Sequence, residues 1–470
     1  MEFIGRDSEL ALLRGRLDRV RESGEGSFIA MRGRRRVGKS RLAEEFARAS
    51  GCPYLYYTAV QQDGEAELGR FVAGLEASDM PRAPDVRAGL RPESWEAALT
   101  LAADGASVER PLIVVIDEFP YLVEKQPSIE AVLQKVWDRS WQGRPVLVVL
   151  IGSDEAMMRA LAERGRPLYD RLREMAVRPL TPADVGELLD LPAADALDAC
   201  LVIGGFPVLA TEWGAGRDLT AYLREALTDP TSFLVVSAER TLAAEFPAPA
   251  PRAVLAAIGA GARAHTAILG RTGLSATTVN ETLEALRARE VVRRMTPYST
   301  KATRRTALWE IADPYMRFWL AFVDRGIDLI ERGRGALLLE RFERSWPAYR
   351  GRAVEPLVRE SVERLLPDAD RFGAARYVGA YWNRTGTVEL DLVGGDERPV
   401  AKRVGFLGSV KWRDERPFGR ADAGELAARR ADVPGATPDT LLVGVSAQGF
   451  EENAPLDVRL GAADLIAAWR

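Results

Sequence analysis

Gly33-Arg34-Arg35-Arg36-Val37-Gly38-Lys39-Ser40 is the stretch that decides the fold, because it has the form G-x-x-x-x-G-K-[ST]. In that pattern the glycines let the backbone turn tightly enough for successive N–H groups to cradle a polyphosphate. Lys39 supplies a mobile positive charge for the β- and γ-phosphates, and the Ser40 hydroxyl is suited to ligate Mg2+. The pattern has weight only between a strand and a helix. Both flanks comply: Ser27-Phe28-Ile29-Ala30-Met31 reads as a short buried strand, and Arg41 to Ala49 as a helix with Leu42 and Phe46 on one face. The expected ligands are ATP and, after turnover, ADP, with Mg2+.

A second stretch supplies the chemistry. Leu112-Ile113-Val114-Val115-Ile116-Asp117-Glu118 is a continuous apolar run ending in two acids. A strand buried on both faces of a parallel sheet looks like this when its C-terminal end opens on a site. Asp117 is expected to hold the Mg2+ shell and Glu118 to orient and deprotonate the attacking water. A third run, Val146-Leu147-Val148-Val149-Leu150-Ile151, ends in Gly152-Ser153-Asp154. Ser153 has two readings there: a contact to the γ-phosphate or attacking water, or a helix N-cap.

Composition excludes several alternatives. At 470 residues the chain should hold about three domains. Sixty-four basic residues nearly balance 68 acidic ones, so any nucleic-acid surface must be local. No apolar run approaches the ~20 residues that span a bilayer. The N-terminal Met1-Glu2-Phe3-Ile4-Gly5-Arg6-Asp7 does not resemble a signal peptide. Two distant cysteines define neither a disulfide framework nor a zinc site, and a single histidine makes histidine-based metal or triad chemistry improbable. A cytoplasmic chain with no membrane partner is expected. Only six of the cations are lysines, among them Lys39 and Lys411.

Strands alternating with helices, including Tyr54 to Val60 as a strand, predict a doubly wound parallel sheet over residues 1–191. A helical lid is expected over 192–251, closed by the boundary signal Pro247-Ala248-Pro249-Ala250-Pro251. Residues 252–312 read as three short helices and a hairpin, that is, a winged helix-turn-helix. Ser275 is the natural N-cap of its third helix, and Val279, Leu283 and Leu286 form that helix's buried face. Between 252 and 310 ten Lys/Arg stand against four Glu, including Arg293, Arg294, Lys301, Arg304 and Arg305 around the hairpin. That local excess suits double-stranded DNA. The competing reading is a packing module, because threonine and asparagine rather than arginines occupy the recognition-helix positions.

The chain resembles the archaeal-type ATPases of the AAA+/STAND group, joined to a C-terminal domain of unknown function. The resemblance rests on Phe3-Ile4-Gly5-Arg6 with Glu9-Leu10, on Arg35-Arg36-Val37-Gly38-Lys39-Ser40, and on Ile116-Asp117-Glu118-Phe119-Pro120-Tyr121-Leu122. It continues through Gly152-Ser153, Pro167-Leu168-Tyr169 with Arg171, Gly204-Gly205-Phe206-Pro207, and Asp313-Pro314-Tyr315-Met316-Arg317-Phe318-Trp319. It implies that Phe3, Ile4, Gly5 and Arg6 help seat the base. It also implies that Arg171 reaches the nucleotide as a sensor or finger, and that Pro207 couples a lid to the nucleotide state. A nucleotide-dependent homo-oligomer belongs to the same expectation. Ser40 stands where threonine is usual, and Asp170 where glycine is usual.

Residues 313–470 follow a further pattern: helix Val354 to Leu365, strands Arg376 to Trp382, Val388 to Val393 and Val404 to Trp412, helix Ala421 to Arg430, strand Thr440 to Val445. This α-β-β-β-α-β order resembles the PD-(D/E)xK restriction-endonuclease core, which sets Asp on the second strand and (D/E)-x-K on the third to hold Mg2+. Asp391 and Lys411 fit that second site, and Ser409 sits where the second carboxylate belongs. Glu389, on the same strand face as Asp391, and Glu355, on the helix, are the substitutes. Two functions follow from the whole chain. One is an ATP-hydrolysing regulatory switch that couples nucleotide state to DNA or a partner through a degenerate nuclease-like domain. The alternative is an ATP-gated, Mg2+-dependent DNA-processing nuclease.

Overall fold

The computed structural model describes residues 3–301, 306–366 and 368–470. The chain forms two compact units, divided after Pro179. In the first, β1 (Ser27–Arg32), β2 (Tyr54–Thr58), β3 (Leu112–Asp117), β4 (Val146–Gly152) and β5 (Arg173–Ala176) make one sheet in the order β2-β3-β4-β1-β5. All four pairings are parallel. Every residue of β3 and β4 is buried, as their unbroken apolar sequences require when helices cover both faces. Helices Gly64–Ala77, Trp95–Ala102 and Ile129–Val136 contribute Phe71, Leu75, Trp95, Leu99 and Leu133 to the same core as Val114, Ile116, Val148 and Leu150.

Parallel strands bring their C-terminal ends to one edge. Gly33 follows β1, Glu118 follows β3 and Ser153 follows β4, and β4 lies between the other two. The three sequence stretches that carry the chemistry therefore share an edge. The phosphate-loop helix runs Lys39–Ala49, two residues earlier than the apolar pattern predicts. β5 has no sequence signal: Arg-Glu-Met-Ala buries only Met175, as an edge strand can.

The second unit opens with helices Ala193–Ile203, Pro207–Trp213, Leu219–Ala226 and Phe233–Glu245. The proline-rich run does not interrupt it: Pro249 begins helix Pro249–Gly259, where a missing N–H costs nothing. Helices His265–Thr272 and Ala276–Ala288 follow, then an antiparallel hairpin of β6 (Val292–Met295) and β7 (Leu308–Ile311). Ser275 caps the third helix by accepting from the Thr278 N–H, and Val279, Leu283 and Leu286 are buried. Arg304 and Arg305 lie outside the described residues.

The remaining residues build a second five-stranded sheet from β8 (Tyr377–Trp382), β9 (Glu389–Gly395), β10 (Val404–Lys411), β11 (Leu441–Ser446) and β12 (Val458–Leu460). The strands lie in sequence order; β8, β9 and β10 are antiparallel, and β11 and β12 join in parallel. Helix Glu355–Leu365 precedes β8 and helix Arg420–Ala428 links β10 to β11. The α-β-β-β-α-β order is present, extended by β12 and helix Ala462–Ala467.

Two features tie this sheet to the helices before it. Ala196, Leu197 and Leu201 share a core with Val358, Phe406, Trp412 and Leu465. Beside them the buried Asp198 carboxylate accepts from the Arg350 guanidinium at 2.8 Å and from the Trp412 indole at 3.0 Å. Burial pushes the Asp198 carboxyl up to about 6, against the opposing pull of Arg350. The second feature is the hairpin loop. Tyr298 donates its N–H to the Ala380 carbonyl at 2.8 Å and its hydroxyl to the Glu397 carbonyl at 2.7 Å. A Cβ on Gly379 would come within 2.4 Å of the Tyr298 Cβ, and one on Gly395 within 2.5 Å of its hydroxyl. The sheet has a slot, floored by glycines, that one tyrosine fills.

Candidate nucleotide-binding site

Between β1 and its helix, the loop is shaped by close approach and by left-handed residues. A Cβ on Gly33 would lie 2.3 Å from the Val177 carbonyl oxygen, so only glycine fits. Gly38, at φ 91°, turns the chain into the helix. That helix has no side-chain cap and no acid in its first turn, which leaves its N–H groups and dipole available to an anion. Lys39 is buried, and its ammonium donates to the Gly33 and Arg34 carbonyls at 2.7 and 2.9 Å. Burial draws the Lys39 pKa down to about 8, against the opposing pull of Glu118 and Asp117. A buried cation that gives its hydrogen bonds here to two neutral carbonyls, with carboxylates acting on it without a direct bond among the described contacts, is one that a polyphosphate stabilises. The loop and helix end fit a polyphosphate. Ser40, exposed, and Asp117 supply the oxygen donors that a hard cation prefers.

Asp117 is 4% exposed and bonded at both oxygens. Oδ1 accepts from the Glu118 N–H and Oδ2 from the Tyr56 hydroxyl, each at 2.8 Å. Burial and the adjacent Asp117 carboxylate push the Tyr56 phenol well above its usual range, so it stays a donor. Glu118 has φ 51°, a left-handed conformation uncommon outside glycine, immediately before helix Phe119–Lys125. Its Oε2 accepts from the Ser153 hydroxyl at 3.2 Å. The N-cap position belongs to Asp154, which accepts from the Met157 N–H at 3.0 Å.

The other expected residues have definite partners. Arg6 is buried, donates to the Val37 carbonyl at 2.7 Å and pairs with Glu9 at 2.8 Å, so the Phe3-Ile4-Gly5-Arg6 segment pins the middle of the phosphate loop. Arg35 donates to the Tyr121 hydroxyl at 2.9 Å, joining the loop to the helix after Glu118. Val37 is fully buried and Arg36 has φ 69°. Arg171 makes two bonds to the Asp138 carboxylate, at 2.7 and 2.8 Å, and donates to the Tyr169 carbonyl. Asp170 has φ 60°, the left-handed conformation a glycine adopts freely. In the second unit Pro207 begins its helix, and the preceding Phe206 meets Tyr315 edge to face at 5.9 Å. The Gly204–Pro207 and Asp313–Trp319 motifs thus pack on each other.

A second cluster lies in the C-terminal sheet. Asp391 on β9 accepts from the Val410 N–H at 2.7 Å and from the Ser409 hydroxyl at 3.3 Å. Glu355 is pushed up to about 7 by burial and by Asp391. Arg359 lies between them, 3.5 Å from Glu355 and bonded to the Asp391 carbonyl at 3.1 Å. Lys411 is 3.9 Å from Asp422. Glu389 is exposed at the start of β9. Among the described residues no group of three His, Cys, Asp or Glu side chains is placed to hold a metal ion. Sequence reasoning missed Tyr56, Arg359 and Asp422. Only Tyr56 carried a signal, as a phenol two residues from the end of the strand beside Asp117.

A phosphate loop at a helix N-terminus, with Asp117 and Glu118 ending the next strand but one, defines a nucleotide-binding ATPase of the P-loop class. Residues 3–199 match the model of an ATPase domain found predominantly in Archaea, and residues 319–423 match that of archaeal and bacterial proteins of unknown function. The chain thus carries a region that matches the archaeal-type ATPase domain, followed by one that matches this C-terminal family. An uncharacterized protein from Methanocaldococcus jannaschii is 24% identical over 423 residues, covering 88% of each chain. Similar solved structures include a Walker-type ATPase of Pyrococcus abyssi, 19% identical, covering 68% of this chain and 96% of that one, with a TM-score of 0.46. The ORC2 protein of Aeropyrum pernix is 15% identical, covering 71% and 97%, with a TM-score of 0.43. Among the described residues, no single helix is long and apolar enough to cross a membrane.

Proposed function

We propose that this protein is an ATP-hydrolysing switch whose nucleotide state governs what its C-terminal half binds. The observation that carries the reading is Glu118, held in a left-handed turn beside Asp117 and bonded to Ser153 at 3.2 Å. In this reading the loop amides and Lys39 bind the phosphates, and Glu118 takes the proton from the attacking water while Ser153 orients it. Ser40 and Asp117 would hold Mg2+, which when bound neutralises phosphate charge. Arg171 is held in reserve on Asp138. The domain bounds proposed are 1–191 for the ATPase, 192–251 for a lid, 252–312 for a winged helix and 313–470 for a nuclease-like domain. The bonds of Tyr298 favour a wing that couples the last two rather than one that reads a DNA groove. With Arg293 paired to Glu310 at 2.7 Å, DNA contact would fall to other cations around the hairpin.

Equilibrium binding and turnover test the ATPase reading on one preparation. Lys39→Ala should lose nucleotide binding. Glu118→Gln should bind ATP and turn over at least ~100-fold more slowly. Equal turnover in Glu118→Gln and the parent refutes the assignment. Duplex DNA binding, if the wing provides it, should weaken by orders of magnitude between ~50 and ~200 mM salt and vanish in the Arg304→Glu, Arg305→Glu double variant. The nuclease alternative is supported by the α-β-β-β-α-β order, by Lys411 and by the influence of the Asp391 carboxylate on Glu355, and is opposed by the neutral Ser409.

A further inference from the structure

Tyr56 belongs to none of the motifs, yet it meets both residues assigned to the metal. It lies on β2, which pairs in parallel with β3 so that Thr58 stands opposite Asp117. From there its hydroxyl reaches the Asp117 Oδ2 at 2.8 Å and lies 3.2 Å from the Ser40 carbonyl oxygen. A phenol has a single proton, and the shorter contact takes most of it. The other carboxylate oxygen is tied to the Glu118 N–H. Asp117 is thus gripped from two sides, by its own chain and by a neighbouring strand. Each oxygen keeps a lone pair for another partner.

We propose that Tyr56 is a positioning residue for Mg2+. Its hydroxyl fixes the plane of the Asp117 carboxylate while lying against the backbone of Ser40. The carboxylate at the end of β3 then keeps one orientation beside the phosphate-loop helix that carries Ser40, before the ion arrives. The inference rests on the reading of Ser40 and Asp117 as the Mg2+ ligands. Outer contacts of this kind are worth roughly 10- to 100-fold in metal affinity. A tyrosine that merely filled space would be replaced without loss by phenylalanine.

The test is Tyr56→Phe beside Asp117→Asn and the parent, all full-length. A fluorescent, non-hydrolysable ATP analogue is titrated at equilibrium, first in EDTA and then at fixed analogue with rising Mg2+. Tyr56→Phe should bind the analogue in EDTA as the parent does and need roughly tenfold more Mg2+ for half-maximal enhancement. A parental Mg2+ midpoint in Tyr56→Phe, with a shifted one in Asp117→Asn, overturns the role of Tyr56 and leaves the metal reading standing. An unshifted Asp117→Asn overturns the metal reading itself. Loss of analogue binding by Tyr56→Phe in EDTA makes the phenol a structural support of the loop and also overturns the proposal.

Discussion

Nucleotide affinity should fall as pH rises through 8, and the cause is one side chain. Lys39 has a pKa of about 8 in the free protein, against 10.5 for an unhindered lysine. Bound polyphosphate replaces the neutral carbonyls of Gly33 and Arg34 as its partner and restores the affinity for the proton. Binding above pH 8 must therefore take up a proton. About three-quarters of the free protein is charged at Lys39 at pH 7.5 and about 3% at pH 9.5, so affinity should drop roughly 25-fold, or about 2 kcal/mol. The stability effect has the opposite sign. Between pH 8 and 10.5 the unfolded chain holds a proton that the folded protein has released, so this group favours folding as pH rises. Its contribution, on the order of 3 kcal/mol, is lost as pH falls through 8. The assay is equilibrium binding of a non-hydrolysable ATP analogue at constant ionic strength from pH 7.5 to 9.5. Lys39→Arg, which keeps its charge throughout, should bind more weakly with a flat profile. A flat parental profile, or a parallel fall in Lys39→Arg, refutes the reasoning.

Ser153→Ala should leave analogue affinity unchanged and lower turnover roughly tenfold, since it frees Glu118 without touching its charge; an unchanged kcat dismisses the bond. Tyr298→Ala should destabilise the second unit by about 3–5 kcal/mol in urea unfolding, because the ring is 5% exposed and fills a fixed slot. A cost below about 1 kcal/mol would mean the slot closes on its own. Ser409→Glu should raise Mg2+ affinity at the C-terminal cluster, read by calorimetry, by adding a charged oxygen beside Asp391; Asp391→Ala should remove the gain.

Much of the molecule was legible because its signals are local. The buried runs of β3 and β4 need helices on both faces, and the phosphate loop needs a strand before it and a helix after it. The same logic served the C-terminal sheet, where β8 to β11 begin and end within two residues of their apolar runs. β5 escaped because an edge strand need bury only one side chain, and β12 because three residues make no pattern. Contacts that depend on register were out of reach. Tyr54-Leu55-Tyr56-Tyr57 announces a strand, but which phenol meets Asp117 is settled by the pairing of β2 with β3. Asp198 and Arg350 stand 152 residues apart, and nothing in either neighbourhood announces the other. The clustered charge of the hairpin was visible, whereas the seat of Tyr298 was not, since nothing in the sequence around Gly379 or Gly395 marks the close approach of a distant tyrosine.

That seat bears on how this protein can be taken apart and how it can change over generations. A cut near residue 312, at the start of the C-terminal block, would leave the sheet with an empty cleft and Trp382 without the Thr306 carbonyl that its indole meets at 2.7 Å. The other fragment would carry a hairpin with a bare aromatic tip. Such halves should be insoluble apart and recover when co-expressed, as complementing fragments do. In recombination between relatives, crossovers on the two sides of residue 312 should survive together or not at all, making the hairpin and the sheet a single unit of inheritance.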